Sequence, residues 1–66
     1  MTFEIVSYPT MTTRKVVGLY PSYEAAKLAA YGTFDIAYYE HDADVSYDAA
    51  DFLTKQGAVY SIQPAN

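Results

Sequence analysis

The stretch Lys15–Gly32, KVVGLYPSYEAAKLAAYG, places the tightest limits on what this chain can fold into. It begins with a β-branched and aromatic run, which suits a half-buried strand because such side chains pack well on a pleated surface. Pro21 ends that run, and Ser22 follows as a helix N-cap whose hydroxyl can accept a bond from a first-turn amide. The small alanines that follow allow close packing on a sheet, and Gly32 is a natural left-handed end. The stretch therefore predicts a strand, a turn and a helix over Tyr23–Tyr31.

Alternation of apolar and polar residues predicts the strands of the chain. The predicted strands are Thr2–Tyr8, Arg14–Tyr20, Phe34–Glu40 and Ala58–Ile62. We expect the first two to pair antiparallel across the polar turn 9–13, with Phe3 and Ile5 on one face. Pro64 is expected to stop the last strand and to leave Gln63–Asn66 as a frayed tail.

A second helix is predicted at Tyr47–Gln56, after an acidic loop at His41–Tyr47. Ser46 would cap it and Gly57 would end it. Its buried side would be formed by Ala49, Phe52 and Leu53. The predicted fold is a single α+β domain over residues 1–66, in the order β-β-α-β-(α)-β. Its sheet has three to four strands, with the helices packed on one face.

Composition limits the chain to one small domain and argues against several classes of protein. A chain of 66 residues has a small core, and it has no cysteine for a disulfide or a thiolate ligand. The net charge of −4 argues against direct binding of nucleic acid, which depends on neutralising phosphates. No apolar run has the length of a membrane span, and the first residues lack a signal peptide. We therefore expect a cytoplasmic protein that does not bind membranes.

The sequence lacks the patterns of known catalytic and metal sites. His41 is the single histidine, and no nucleophile elbow or glycine-rich phosphate loop accompanies it. A calcium-binding loop beginning at Asp42 would have Tyr47 where a tight turn needs glycine. It would also have Leu53 where a bidentate glutamate is needed. We therefore predict a protein that is not an enzyme, with no metal and no cofactor.

The eight tyrosines are the most informative residues for function. They cannot all be core residues, because each buried hydroxyl needs a partner, and tyrosine is enriched at protein interfaces. In the third strand the alternation places Ile36 and Tyr38 on one face and Tyr39 on the other, so one ring of the adjacent pair faces away from the helix. The predicted interface residues are Tyr20, Tyr38, Tyr39 and Tyr60. The alternative is that these tyrosines only cover a thin core.

A second candidate surface is the acidic segment that follows the third strand. Five carboxylates fall within twelve residues with no lysine or arginine among them: Glu40, Asp42, Asp44, Asp48 and Asp51. Such a segment attracts a basic partner and speeds its association. A solvated loop with no binding role would have the same composition.

Three functions are consistent with these observations. The first is a small non-catalytic interaction module that forms a homo-oligomer through a tyrosine-rich sheet face or edge. The second is an acidic inhibitor, of the kind that phages encode, which occupies the basic site of a nucleic-acid-handling protein. The third is a small-ligand or metal binder around Glu40–Asp44. Exposed rings favour the first function, acids spaced along one face favour the second, and converging carboxylates favour the third.

Overall fold

The computed structural model describes residues 1–44 and 46–65. Within them lie five strands and one helix: β1 (Thr2–Ser7), β2 (Lys15–Tyr20), α1 (Tyr23–Thr33), β3 (Ile36–His41), β4 (Ala50–Thr54) and β5 (Val59–Ala65). Val45, in the predicted acidic loop, and Asn66, in the predicted tail, lie outside the described residues. The α+β class is confirmed, but the sheet has five strands rather than three or four.

The strands form one antiparallel sheet in the order β2-β1-β5-β4-β3. The predicted pairing of the first two strands is confirmed, and β1 also pairs with β5 in the middle of the sheet. Helix α1 connects β2 at one edge to β3 at the other, and it packs on a single face. The domain therefore has two layers, with one face of the sheet left without a helix.

Helix α1 begins as the sequence predicts and ends later. Ser22 has an extended backbone, and its hydroxyl accepts the Ala25 N–H at 3.1 Å, which confirms the N-cap. The predicted left-handed end at Gly32 is wrong, because the helix continues to Thr33. It ends where the Phe34 N–H donates to the Ala30 carbonyl at 2.9 Å. A glycine inside the last turn is tolerated here because the sheet holds the helix in place.

The predicted second helix is wrong, because residues 50–54 of that segment form β4. Ala50, Phe52 and Thr54 are buried whereas the two residues between them are exposed, which is the period of a strand. β4 also has partners on both sides, so its backbone groups are paired in two ladders. A ten-residue helix would lack this stabilisation by neighbouring strands, and short helices are only marginally stable on their own.

Gly57 closes a hairpin instead of ending a helix. The Gly57 N–H donates to the Thr54 carbonyl at 2.9 Å, and the Thr54 N–H donates to the Ala58 carbonyl at 2.9 Å. Gly57 has a φ of 91°, which an L-residue with a side chain rarely adopts. This is the pattern of a three-residue hairpin loop with a glycine bulge, and it joins β4 to β5.

The last strand is longer than predicted. Pro64 does not stop it, and the tail through Ala65 is paired with β1 rather than frayed. The ladder between β4 and β5 ends at Ile62, so β5 has a partner on one side only at position 64. A proline is tolerated at such a position because it does not need to donate to both neighbours.

The core lies between α1 and the sheet. Its buried members are Phe3, Ile5, Tyr23, Ala26, Ala30, Ala50, Phe52 and Ile62. The alanines bring the helix close to the strands, as the small-residue face of the sequence predicts. Phe52 lies at the centre, with the ring of Tyr60 stacked at 5.1 Å and that of Phe34 at 5.5 Å.

Candidate interaction surface

One face of the sheet is covered by no helix in residues 1–44 and 46–65. Side chains alternate along a strand, so the register that places Phe3 and Ile5 under the helix places their neighbours on the opposite face. These residues, which we call the helix-free face, are Glu4, Val6, Val16, Leu19, Tyr38, Glu40, Asp51, Leu53, Val59, Ser61 and Gln63. Most of them belong to three regions, a polar network, an apolar row and an acidic pair, and Val16 and Leu19 on β2 are exposed apolar residues outside these regions.

The polar network lies across β2, β1 and β5. Arg14 forms an ion pair with Glu4, and its guanidinium also donates to Gln63 at 3.5 Å. The amide of Gln63 in turn donates to the hydroxyl of Tyr8 at 3.1 Å. This network spans the position of Val6, which is fully buried although it lies on the face with no helix. The long side chains thus act as a partial cover for that half of the face.

The apolar row crosses the other half of the face. Val59 pairs with Leu53, and Leu53 pairs with Tyr38, so the three side chains are consecutive neighbours on β5, β4 and β3. Their exposed fractions are 47%, 39% and 59%. Two adjacent aliphatic side chains with an aromatic ring at the end of the row offer area that water solvates poorly, and burial of that area favours binding.

The acidic pair lies in the row beside it. Glu40 on β3 is directly opposite Asp51 on β4, and both are exposed. Like charges in this arrangement repel each other and weaken the strand pairing. In residues 1–44 and 46–65, neither carboxylate forms an ion pair with a lysine or arginine. The face therefore has a negative region whose counter-charge must come from salt or from another molecule.

The remaining predicted acids lie in the loop 42–49 and do not join this pair. The Asp42 side chain accepts the Asp44 N–H at 3.1 Å, which orders the turn. Asp48 lies 3.5 Å from the His41 ring nitrogen, which is an ion pair when the imidazole is protonated. A shallow concavity of about 340 Å³ lies between this loop and the acidic pair. Across the described part of the chain, no three histidine or carboxylate side chains are grouped to hold a metal ion.

The four predicted interface tyrosines lie on two different sides of the sheet. Tyr38 is on the helix-free face, whereas Tyr20, Tyr39 and Tyr60 are half-buried against the core. The ring of Tyr60 lies 4.4 Å from that of Phe34, between the helix end and the sheet. Tyr20 extends over Gly18, where a methyl group would meet its hydroxyl at 2.6 Å. These three tyrosines cover the core, which is the alternative interpretation of the tyrosine content.

Tyr39 faces the helix because of an irregularity in β3. Ile36 pairs with Thr54 and Tyr38 with Leu53, so Ala37 is one residue more than β4 can match. The predicted placement of Ile36 and Tyr38 on one face is therefore wrong, and Ile36 shares its face with Tyr39. There the Tyr39 hydroxyl lies 2.5 Å from that of Tyr23. Burial, with this hydrogen bond as a second cause, raises the pKa of Tyr39 well above its ordinary value.

No family model, curated protein or solved structure matches the chain. In the residues that the structure describes, no helix is long and apolar enough to cross a membrane. The fold and the surface define a two-layer α+β domain with one uncovered sheet face. Val59 and Leu53 were not predicted to be surface residues, although the chain alternates Val59, Ser61 and Gln63 with Tyr60 and Ile62.

Proposed function

We propose that this protein is a small non-catalytic interaction module that associates with a second copy of itself through its sheet. The observation that carries the proposal is the exposed row of Val59, Leu53 and Tyr38 on the helix-free face. This row holds three of the eleven large hydrophobic side chains that are exposed in the described residues. Self-association covers it without the need for a second helix layer.

Non-catalytic action is supported by the openness of the concave surface. The concavity at the acidic loop is lined by side chains such as Glu40 and Asp51, which are exposed, and Asp42, which is half-buried. Acid–base catalysis needs a carboxylate or imidazole whose environment keeps water away and adjusts its proton affinity. A binding role has no such requirement.

The oligomeric state tests the proposal directly. We expect sedimentation equilibrium of the wild type to show a dimer that dissociates on dilution. Leu53→Asp should abolish the dimer, because it places a charge in the middle of the apolar row. The matched control is Leu28→Asp, since Leu28 is 75% exposed on the helix and lies away from the sheet. A wild type that stays monomeric up to millimolar concentration contradicts the proposal.

A second candidate function is binding of a basic protein partner through the acidic pair. The observation that favours it is the pair Glu40 and Asp51, two neighbouring carboxylates without an ion-pair partner in residues 1–44 and 46–65. A basic site on a nucleic-acid-handling protein has the complementary charge. In this function the chain acts as an inhibitor that blocks that site.

Association kinetics distinguish this second function from self-association. For a partner isolated from the native host, the double variant Glu40→Gln and Asp51→Asn should bind more slowly than the wild type. Added salt should slow the wild type in the same direction, because both changes weaken steering by charge. Glu24→Gln, on the exposed surface of the helix, is the control and should bind at the wild-type rate. An association rate that changes neither with added salt nor in the double variant would exclude this function.

A further inference from the structure

Both outer strands of the sheet carry an extra residue. Val16 pairs with Val6 and Gly18 pairs with Ile5, so Val17 is one residue more than β1 can match. Ala37 is the corresponding extra residue at the other edge, on β3. Bulges bend an edge strand and interrupt its row of backbone donors and acceptors, which makes the edge a poor template for another strand. The structure thus disfavours edge-to-edge pairing of two sheets.

Charge is divided between the two sides of the helix-free face. The guanidinium of Arg14 lies over β1 and β5 on one side, and Glu40 and Asp51 lie on β3 and β4 on the other. The contacts of Arg14 with Glu4 and Gln63 both use a single guanidinium nitrogen, Nη2, so other N–H donors are available to a partner. β5 is the middle strand of the five and separates the two sides.

We infer that two copies pack with their helix-free faces together, about a two-fold axis that runs parallel to β5. This arrangement rests on the proposed function. The rotation places the β2–β1 side of one copy against the β4–β3 side of the other. Arg14 of each copy then lies opposite Glu40 and Asp51 of its partner, so the same charge contact forms twice. Val59, on the middle strand, lies opposite the same residue of the second copy.

The area of the helix-free face is closer to that of a second sheet than to that of a single helix. Five strands about 4.8 Å apart, with about six residues at 3.3 Å each, give a face of about 24 by 20 Å. That is on the order of 500 Å² per copy, so a pair buries about 1,000 Å², the lower limit for a specific interface. A single helix about 10 Å wide would cover only half of the face. The area and the opposed charges therefore point to a second copy as the occupant, in a weak and reversible dimer.

Cross-linking at single cysteines tests the arrangement, because the chain has no cysteine of its own. Val59→Cys should form a covalent dimer with a short bis-maleimide, since the two thiols lie opposite each other beside the axis. Val17→Cys is the matched control at the edge, where the exposed fraction of 45% is close to the 47% of Val59. We expect Val59→Cys to cross-link at least about tenfold faster than Val17→Cys at equal protein concentration.

A charge reversal tests the orientation of the two copies. Glu40→Lys with Asp51→Lys should raise the dissociation constant of the dimer at least about fivefold at low salt, because each lysine then faces Arg14. The control, Glu24→Lys with Asp44→Lys, changes the net charge equally but lies outside the face, and it should not weaken the dimer. A net charge nearer zero favours association in general, so weakening by the first variant alone is specific to the contact.

The outcomes separate this inference from the proposed function. A wild type that sediments as a monomer at all concentrations overturns both. A wild-type dimer in which Val17→Cys cross-links as fast as Val59→Cys overturns the face-to-face arrangement and leaves self-association standing. A wild-type dimer that both double variants affect equally overturns the opposition of Arg14 to the acidic pair.

Discussion

Ser22 shows how a single side chain sets the start of an element. The chain leaves β2 at Tyr20, passes Pro21, and reaches Ser22 with an extended backbone, φ −154° and ψ 164°. The hydroxyl then accepts the Ala25 N–H, one of the amides that a helix start leaves without an internal partner. Everything that this contact needs lies within four residues, which is why it could be predicted from the sequence.

Replacing Ser22 with alanine should lower the free energy of unfolding by about 1 kcal/mol. Ser22→Asp is the matched control and should retain most of the stability, because aspartate also caps and its charge suits the helix N-terminus. Urea denaturation of the three proteins measures both effects. Equal midpoints for the wild type and Ser22→Ala would show that the cap does not stabilise the fold.

Tyr39 gives a residue-scale prediction about pH. Its pKa is raised in the folded protein, whereas in the unfolded chain it is about 10. The unfolded chain therefore loses the proton first, and the contribution of Tyr39 to stability is full below about pH 10. That contribution is lost as the pH rises from there toward the folded pKa.

Between about pH 9.5 and 11.5, we expect stability to fall less steeply for Tyr39→Phe than for the wild type. The adjacent Tyr38→Phe is the matched control, because it removes the same hydroxyl group from a side chain that is 59% exposed. Urea midpoints measured at several pH values give the three slopes. Identical slopes for all three proteins would contradict the assigned burial of Tyr39.

At the scale of elements, local patterns were predictable and non-local pairings were not. β2 and α1 follow from capping, turn and propensity, all of which act between near neighbours. The segment 47–56 has the same local features, with Ser46 and two alanines, yet β4 forms there. Strands β3 and β5 decide that outcome, because they pair with it from both sides. Pairing with these two strands cannot be predicted from the local sequence of residues 47–56.

Two glycine substitutions should have opposite effects on stability. Gly57→Ala should destabilise by about 1–2 kcal/mol, because an alanine is strained at a φ of 91°. Gly32→Ala should stabilise by about 0.5–1 kcal/mol, because the helix position is regular and a methyl group meets nothing within 4 Å. Thermal or urea unfolding of the two variants and the wild type measures both changes in stability. The same sign for both would contradict either the turn at Gly57 or the extension of α1 past Gly32.

At the scale of the whole molecule, several surface residues could be predicted from the sequence, but the face of the sheet on which each predicted residue lies could not. The sequence identified Tyr38, Glu40 and Asp51, which lie together on the helix-free face. It also grouped them with Tyr20, Tyr39 and Tyr60, which face the helix. The side to which each ring points depends on strand register and on the bulge at Ala37. Both arise from pairing across the sheet.

The melting temperature should rise with protein concentration. A dimer that forms only in the folded state adds its association free energy to the free energy of unfolding. The native state is therefore more stable at higher protein concentration. We expect this rise for the wild type and for Leu28→Asp, and a constant value for Leu53→Asp. Calorimetry over a hundredfold range of concentration measures it. A wild-type value independent of concentration would contradict dimerisation in this range.

The position of β5 also determines when the sheet can form during synthesis. β5 follows the other four strands in the chain, and in the sheet it joins the β2–β1 pair to the β4–β3 pair. Until residue 65 leaves the ribosome, the nascent chain has two separate hairpins, and an isolated hairpin is marginally stable. The cooperative step must then wait for β5, which pairs with β1 on one side and with β4 on the other. A chain stalled before Val59 should remain unfolded and open to proteases, however long it waits.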